Sequence, residues 1–545
     1  MRSAAFALAL RTSDRPWALL LALLFLACVG HSIAIHRTIN WDCAYYVRCG
    51  QLILDGKLPY VDFVDINPPL IMYVSVVPAF LARCLSLEPT LAFALFIDLI
   101  LALSLWQLRY LLPRADPGLR PDERGLLALA WVAGGWAILL AGKWGQRDHL
   151  FALTALPYVL LRVGRYGGTR VPLALAAALG LQTAVGACLK PHFLVVLAGV
   201  ELFLVLTRRT GRRLLDAENL ALAIFTFAYV VHWFLLPPAM REMYFGRWVP
   251  LALKHYDLAY GVDAGTLVTK LASRAFGFGL PLVLLLASGL AVRPRADSMP
   301  LAAPLTVLAW LCLLGYLLQR KDWGYHLIPF YLTALLVTAV LVVEFKRVLE
   351  SRVRPRAMGS ALVVLPFCVS LLAAPIAGAF VVRETLHPAT PPEEILRVGR
   401  AIDAWSRPGD PVLLVTPSIW PAYPLLLQMN RTPGSRFCLF PVAYFYPDTG
   451  GAATAPFFPY HDLAGMSQEE RMILGELQED ILTRRPRLIL IQNTDGGQGL
   501  PKRFHIFDYL VHVGLVDTLV PSRYREADGF RCWRLLVLNE RRARR

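Results

Sequence analysis

The chain is 545 residues long, 56% hydrophobic and 17% charged, with a mean hydropathy of +0.50. Soluble domains run nearer roughly 45–50% apolar with about a quarter of residues charged. Here the surplus lies in blocks long enough to cross a ~30 Å hydrocarbon core, so a purely soluble protein is excluded. The formal net charge of +16 falls in arginine clusters between the apolar blocks, where the positive-inside rule accounts for it without nucleic acid.

The first apolar run, 16–36, follows a basic start at Arg2, Arg11 and Arg15. A cleaved signal peptide is the competing reading. The run is long and no small-residue cleavage site precedes Asn40, so a retained anchor is expected. Next comes NWDCAYYVRCGQLILDGKLPYVDFVDINPPL, Asn40–Leu70, with four aspartates and a tandem proline. Ala44, Tyr45, Val47, Leu52 and Ile53 suit a helix lying in the membrane interface, and Gly56 suits its end. Asp42 reads equally as an N-cap or as a functional carboxylate; Asp62 and Asp65 read as turn residues.

Further apolar runs fall at about 89–108, 125–142, 150–163, 171–189, 192–207, 217–238, 274–292, 301–319, 327–344 and 357–381, giving about eleven spans in all. The piece 68–85 is ambiguous, being short and interrupted by Pro78. With a cytoplasmic N-terminus and 68–85 not crossing, the cytoplasmic segments hold about twenty Lys and Arg, among them RYLLPRADPGLRPDER (109–124), RVGRYGGTR (162–170) and TRRTGRR (207–213). A crossing 68–85 would turn every later arginine loop outward, so it reads as a juxtamembrane or re-entrant element. The other side then receives the Asn40–Leu70 stretch, KWGQRDH (143–149), the LKPH turn (189–192), 239–273, QRKDWGYH (319–326) and everything after about 382.

From about 385 the composition is that of a soluble domain. Helical spacing in EEILRVGRAIDAW, EERMILGELQEDILTRR and FHIFDYLVHVG alternates with buried strands in DPVLLVTPS, RLILIQN and FRCWRLLVLN. The pattern predicts a small α/β domain with a mainly parallel sheet. TDGGQG (494–499) lacks the spacing of a phosphate loop. The expected division is a membrane domain over 1–384, with an outer loop at 37–88, and an extracytoplasmic α/β domain over 385–545.

Nine cysteines show no metal-ligand spacing. Cys43 with Cys49, and Cys438 with Cys532, could each pair in an oxidising compartment. The residues that could carry chemistry are Asp42, the Arg147-Asp148-His149 triplet, Lys190, and the group Arg320, Lys321, Tyr325 and His326. Each has a bland alternative: a cap, a solvated loop, a lysine that snorkels, basic residues beside an aromatic belt. Acids and bases from four parts of the chain nevertheless face one side. A carboxylate base with several cations at a membrane surface suits transfer of a sugar from an isoprenoid phosphate, whose leaving group is an anion at headgroup level. No soluble nucleotide, and hence no glycine loop, is needed.

WDCAYYVRCGQLILDGKLPYVDFVDINPPL resembles the first outer loop of the polytopic GT-C glycosyltransferases, closest to the bacterial dolichyl-phosphate-mannose protein mannosyltransferase-like group that includes lipid A aminoarabinose transferase. The matching positions are Asp42, Tyr45, Tyr46, Gly56 and Pro68-Pro69, with Asn67 where His or Lys is usual, and Cys43 where many members have Glu. The resemblance covers roughly 16–345 and is sharp over 41–73. It implies an α-helical polytopic GT-C fold, Asp42 as catalytic base of an inverting transfer, Asp148 as a second functional acid, and Lys190, with Arg147 and Lys321, as ligands of the donor phosphate. Tyr45, Tyr46, His149, Tyr325 and His326 are the expected substrate contacts. No cofactor is called for, and a divalent cation stays open. The implied partners are a polyprenyl-phosphate sugar, membrane lipid, and a glycan, lipid or protein acceptor, with the C-terminal domain helping at the acceptor. The implied location is the bacterial inner membrane. The rival class is a transporter or flippase, which would place ionisable residues at mid-membrane in broken helices; Asp98 and Glu201 are such residues, but they sit in uninterrupted runs and read as internal polar contacts.

Overall fold

The computed structural model describes residues 15–274, 300–350, 393–448, 458–493, 499–519 and 522–539. They form two compact units, one drawn from Met1–His36, Ala94–His232 and Val262–Ala389, the other from Arg37–Phe93, Trp233–Gly261 and Thr390–Arg545.

The first unit is a helical bundle. Seven described helices are long and apolar enough to cross a membrane, from Pro16–Thr38 to Gly324–Glu344. Two further expected spans are the helices Arg147–Tyr166 and Leu173–Cys188. The runs expected at 274–292, but for its first residue, and at 357–381 lie outside the described residues, as does the 384/385 boundary. The chain is a multi-pass membrane protein. Its helices close on one another where side chains are small. A Cβ on Gly125 would fall 2.3 Å from the ring of Trp17, and one on Gly186 2.1 Å from Thr154 Oγ1.

The Arg147–Tyr166 helix is the axis of this unit: residues Arg147 to Gly164 are all buried. It carries charge at both ends, which is why its mean hydropathy is low although it lies inside. At its C-terminal end Arg162 meets Glu201, Asp216 and Glu218 at 2.6–3.1 Å. Glu201 is therefore the internal contact its sequence suggested, and Asp98 likewise accepts from Ser32 Oγ at 2.5 Å. The basic loops gather at this end. Thr169 donates to the Arg114 carbonyl, Arg162 to that of Arg213, and Arg347 to that of Gly118.

The second unit joins three stretches of chain around one sheet. Strands β1 (Pro411–Val415), β2 (Thr432–Pro433), β3 (Leu488–Gln492), β4 (Tyr524–Phe530) and β5 (Trp533–Leu538) lie in the order β2-β1-β3-β5-β4. β1 is parallel to β2 and to β3, while β5 is antiparallel to β3 and β4. The sheet is thus mixed, not mainly parallel. The stretch read as one strand, FRCWRLLVLN, turns at Arg531–Cys532, with Arg531 at φ +50°, and closes a hairpin. β4 escaped notice because it is a mostly exposed edge strand, YREADGF, with too little apolar alternation to register.

The helix Trp41–Leu54 belongs to this unit and does not lie on a surface, as its pattern suggested. Cys43 through Gly50 are buried against the helices Leu70–Leu85 and Ala422–Gln428. A Cβ on Gly50 would meet the Ser75 carbonyl at 2.4 Å. Buried Arg48 donates to the carbonyls of Leu426 and Arg431, Val64 N–H to that of Arg436, and Arg484 to that of Asp62. The stretch from Trp41 to Leu85 is thereby stitched into the C-terminal part of the chain. The piece 68–85 is a helix, Leu70–Leu85, of this unit rather than of the bundle.

Candidate functional site

The sequence places of interest sort into the two units. In the second, Asn40, not Asp42, caps the Trp41–Leu54 helix: its side chain accepts from the Asp42 N–H at 3.0 Å. Asp42 stands half-buried in the first turn, where a carboxylate is favoured by the helix dipole. Gly56, at φ +76°, ends the helix with Gly56 N–H bonded to Ile53 O and Lys57 N–H to Leu52 O, the crossed pair of a Schellman motif. Tyr45 is buried and spends its hydroxyl on the Val64 carbonyl at 2.7 Å. Tyr46 accepts from Asn67 Nδ2, which also donates to Asp65. Asp62 and Asp65 accept from backbone N–H groups at Leu58 and Asn67, so both serve as turn residues. Neither suggested cysteine pair is joined in a disulfide. Burial pushes the thiols of Cys49 and Cys438 well up, so neither is a poised nucleophile.

The first unit brings the rest together. At the N-terminal end of the Arg147–Tyr166 helix, Lys190 Nζ donates to Asp148 Oδ2 at 2.6 Å, and both side chains are more than nine-tenths buried. Lys190 precedes Pro191, which opens the next helix at a position where its missing N–H costs nothing. The ammonium also lies 5.2 Å from the Tyr325 ring and 5.7 Å from that of Phe193, a cation between aromatic faces. Phe193 stacks on Phe151 at 4.0 Å. Tyr325 and His326 sit edge to face at 4.4 Å on the turn Gly324–Leu327. His149 is held by Trp144 at 4.8 Å and accepts from Gly145 N–H on Nδ1.

Three buried polar atoms here have no hydrogen-bond partner: Asp148 Oδ1, His149 Nε2 and His326 Nδ1. Native interiors leave few such atoms, so their clustering marks a place prepared for a polar ligand. Asp148, His192, Phe193, Cys312, Gln319 and His326 line a narrow cleft. On one helix the lining steps from Gln319 to Gly315 to Cys312, on another from His192 to Val196. The cleft thus passes from polar to apolar over about two helical turns, or ~10 Å.

Arg147 and Lys321 are buried, and both belong to the same unit. His192 was missed: it lay inside the quoted LKPH turn, and only the cleft singles it out. The structure brings Asp148, Lys190 and His326 together in one unit and holds Asp42, Tyr45 and Tyr46 in the other. Among the described residues no group of three His, Cys, Asp or Glu is arranged to hold a metal ion.

A bundle of membrane helices carrying such a cleft, with a small α/β unit contributed mainly by the C-terminal part of the chain, is a GT-C architecture. The particular likeness is to ArnT from Cupriavidus metallidurans bound to undecaprenyl phosphate, at a TM-score of 0.56 and 12% identity over 96% of this chain and 98% of that one. The apo state of the same protein gives 0.56 and 13% over the same shares. Arabinofuranosyltransferase AftD from Mycobacteria gives 0.49 and 12%, over 94% of this chain and 40% of that one. The sequence itself matches no family model and no curated protein.

Proposed function

We propose that the protein is a membrane glycosyltransferase that moves a sugar from a polyprenyl-phosphate carrier to an extracytoplasmic acceptor with inversion. The observation that carries this reading is the Lys190–Asp148 pair at the polar head of a cleft whose other end is apolar. Lys190, held beside Asp148, brings a positive charge to the phosphate, with Arg147 and Lys321 adding theirs. The apolar lining at Phe193, Val196 and Cys312 then receives the first isoprene unit. The fold neighbour bound to undecaprenyl phosphate supports a ligand of this kind. Asp148 Oδ1, His149 Nε2 and His326 Nδ1 are the groups left to meet the sugar's hydroxyls.

In the transfer, the acceptor hydroxyl attacks the anomeric carbon and the bond from that carbon to the phosphate oxygen breaks. The electron pair leaves with the phosphate, where cations stabilise it. The proton goes to Asp42, the general base that the likeness of its loop to the GT-C first loop implies. We place the protein in the bacterial inner membrane with the N-terminus cytoplasmic and the C-terminal unit outside, because the arginine loops gather at the Arg162 end of the bundle.

The test is release of free polyprenyl phosphate from a labelled polyprenyl-phospho-sugar by the purified full-length chain with acceptor present. Asp42→Asn should cut turnover by about 10²–10⁴-fold, the range of general-base catalysis, with donor binding kept. Turnover near wild type in that variant removes Asp42 from the role. Movement of the carrier lipid across vesicles without bond cleavage would favour the flippase reading instead.

A further inference from the structure

We propose that the second unit carries a carbohydrate-binding site built on His461 and Glu470. Glu470 lies in the first turn of the Gln468–Arg484 helix, 1% exposed, behind the Ser467 cap. A carboxylate so deeply buried must be met by hydrogen bonds. Tyr509 and Tyr446 donate their hydroxyls to Oε1 at 2.6 and 3.0 Å, and His461 Nδ1 lies 2.8 Å from Oε2. A carboxylate only accepts, so His461 Nδ1 carries a proton, and Nε2 is the nitrogen on the far side of the ring. The His461 side chain is 42% exposed. The buried acid therefore fixes the orientation of a part-exposed imidazole and leaves its second nitrogen for a ligand.

The surroundings say what that nitrogen is for. The Tyr446 ring stacks on His461 at 4.6 Å and 29°. Half-buried Phe458 and Tyr460 stand beside it, 5.2 Å apart, and exposed His512 lies 5.6 Å from Tyr460. Tyr460 is held rigid, its hydroxyl donating to the His505 carbonyl and accepting from the His505 N–H. Fully buried Phe504 and Tyr509 form the floor. Burial of Glu470 accounts for His461 Nδ1 on Oε2 but not for the half-buried rings ranged beside its outer edge. A rigid aromatic ledge beside one outward imidazole nitrogen fits the C–H face of a sugar ring, whose hydroxyl can donate to that nitrogen or accept from it.

The site can be read without any donor lipid, so it stands or falls separately from the transferase reading. The full-length chain in nanodiscs is titrated with gluco-, manno-, galacto- and arabino-hexasaccharides and with inorganic phosphate. Saturation-transfer NMR of the sugar ring protons gives the affinity. At least one oligosaccharide should bind saturably, with His461→Ala and Tyr460→Ala each weakening it tenfold or more. Should His461→Ala unfold the unit, Phe458→Ala, which removes no side-chain hydrogen bond, must show the loss. The proposal is overturned if no oligosaccharide binds, if phosphate alone binds, or if binding survives these substitutions.

Discussion

Both ends of the Arg147–Tyr166 helix bury charge, and they are finished differently. At the C-terminal end Arg162 makes five hydrogen bonds, to Glu201, Asp216, Glu218 and the Arg213 carbonyl. That uses every N–H a guanidinium has. Arg165 and the Tyr166 hydroxyl complete the carboxylates. At the N-terminal end the Lys190–Asp148 pair is as buried and as short, yet Asp148 Oδ1 and two histidine nitrogens nearby are left over. About 21 Å of one helix separates a network that is closed from one that is open. A closed network can only hold the fold; an open one costs stability that is recovered when something binds.

The largest effect should come from breaking the closed end. Arg162→Met leaves buried Glu201 without a cation and takes one of two from Glu218 and from Asp216, a loss on the order of 3–5 kcal/mol, seen as failure to accumulate or a collapsed unfolding midpoint in detergent. Neutralising the stranded acid, as in Glu201→Gln with Arg162→Met, should recover only part of it, because Glu218 and Asp216 have still lost their bonds to Arg162. A well-behaved Arg162→Met variant would mean that this end is less closed than its bonds suggest.

The open end should behave otherwise in a double-mutant cycle. Lys190→Met strands a single carboxylate, costing about 3 kcal/mol at the low end of that range. Lys190→Met with Asp148→Asn should recover most of it, since the amide carries no charge to strand. Donor turnover should stay low in all three variants, by about 10–100-fold, the worth of a charge-assisted hydrogen bond. A double variant that regains activity along with stability would make the pair structural, like Arg162.

How much of this was legible in the sequence follows from the reach of each signal. The spans, the strands β1, β3 and β5, and the gathering of Asp148, Lys190 and His326 could be read because run length and loop charge act locally or bias whole loops. That Lys190 bonds Asp148, 42 residues away, could not be read; periodicity says that a residue is buried and not by what. The same limit hid Arg48, whose partners lie 378 and 383 residues on, and with it the merging of the outer loop into the C-terminal unit. Glu470 read as one acid on an amphipathic helix; only its three converging donors set it apart. The mixed sheet was missed for a different reason, since a polar edge strand has no apolar pattern to read.

A smaller effect separates binding from folding within the open end. His326→Phe removes a buried nitrogen that has no partner, so stability should hold or rise by about 1 kcal/mol. Turnover of the donor should fall roughly tenfold, the value of one neutral hydrogen bond in a closed site. Unfolding midpoints and steady-state rates on the same preparation check both. A loss of stability with unchanged turnover would assign His326 to packing.

The smallest effect tests the apolar half of the cleft. A Cβ on Gly315 would lie 3.7 Å from His192 Cδ2, an ordinary contact, so Gly315→Ala should be nearly silent. The longer side chain of Gly315→Leu enters the space between Cys312 and Gln319 and displaces whatever lies there. If that is the first isoprene unit, losing about one buried methylene costs ~0.8 kcal/mol and raises the donor KM roughly fourfold with kcat kept. A water-soluble donor analogue with its tail cut to a few carbons should lose this sensitivity, because it has no chain to displace. Equal sensitivity for long and short tails would place the lipid elsewhere and leave the cleft to the sugar alone.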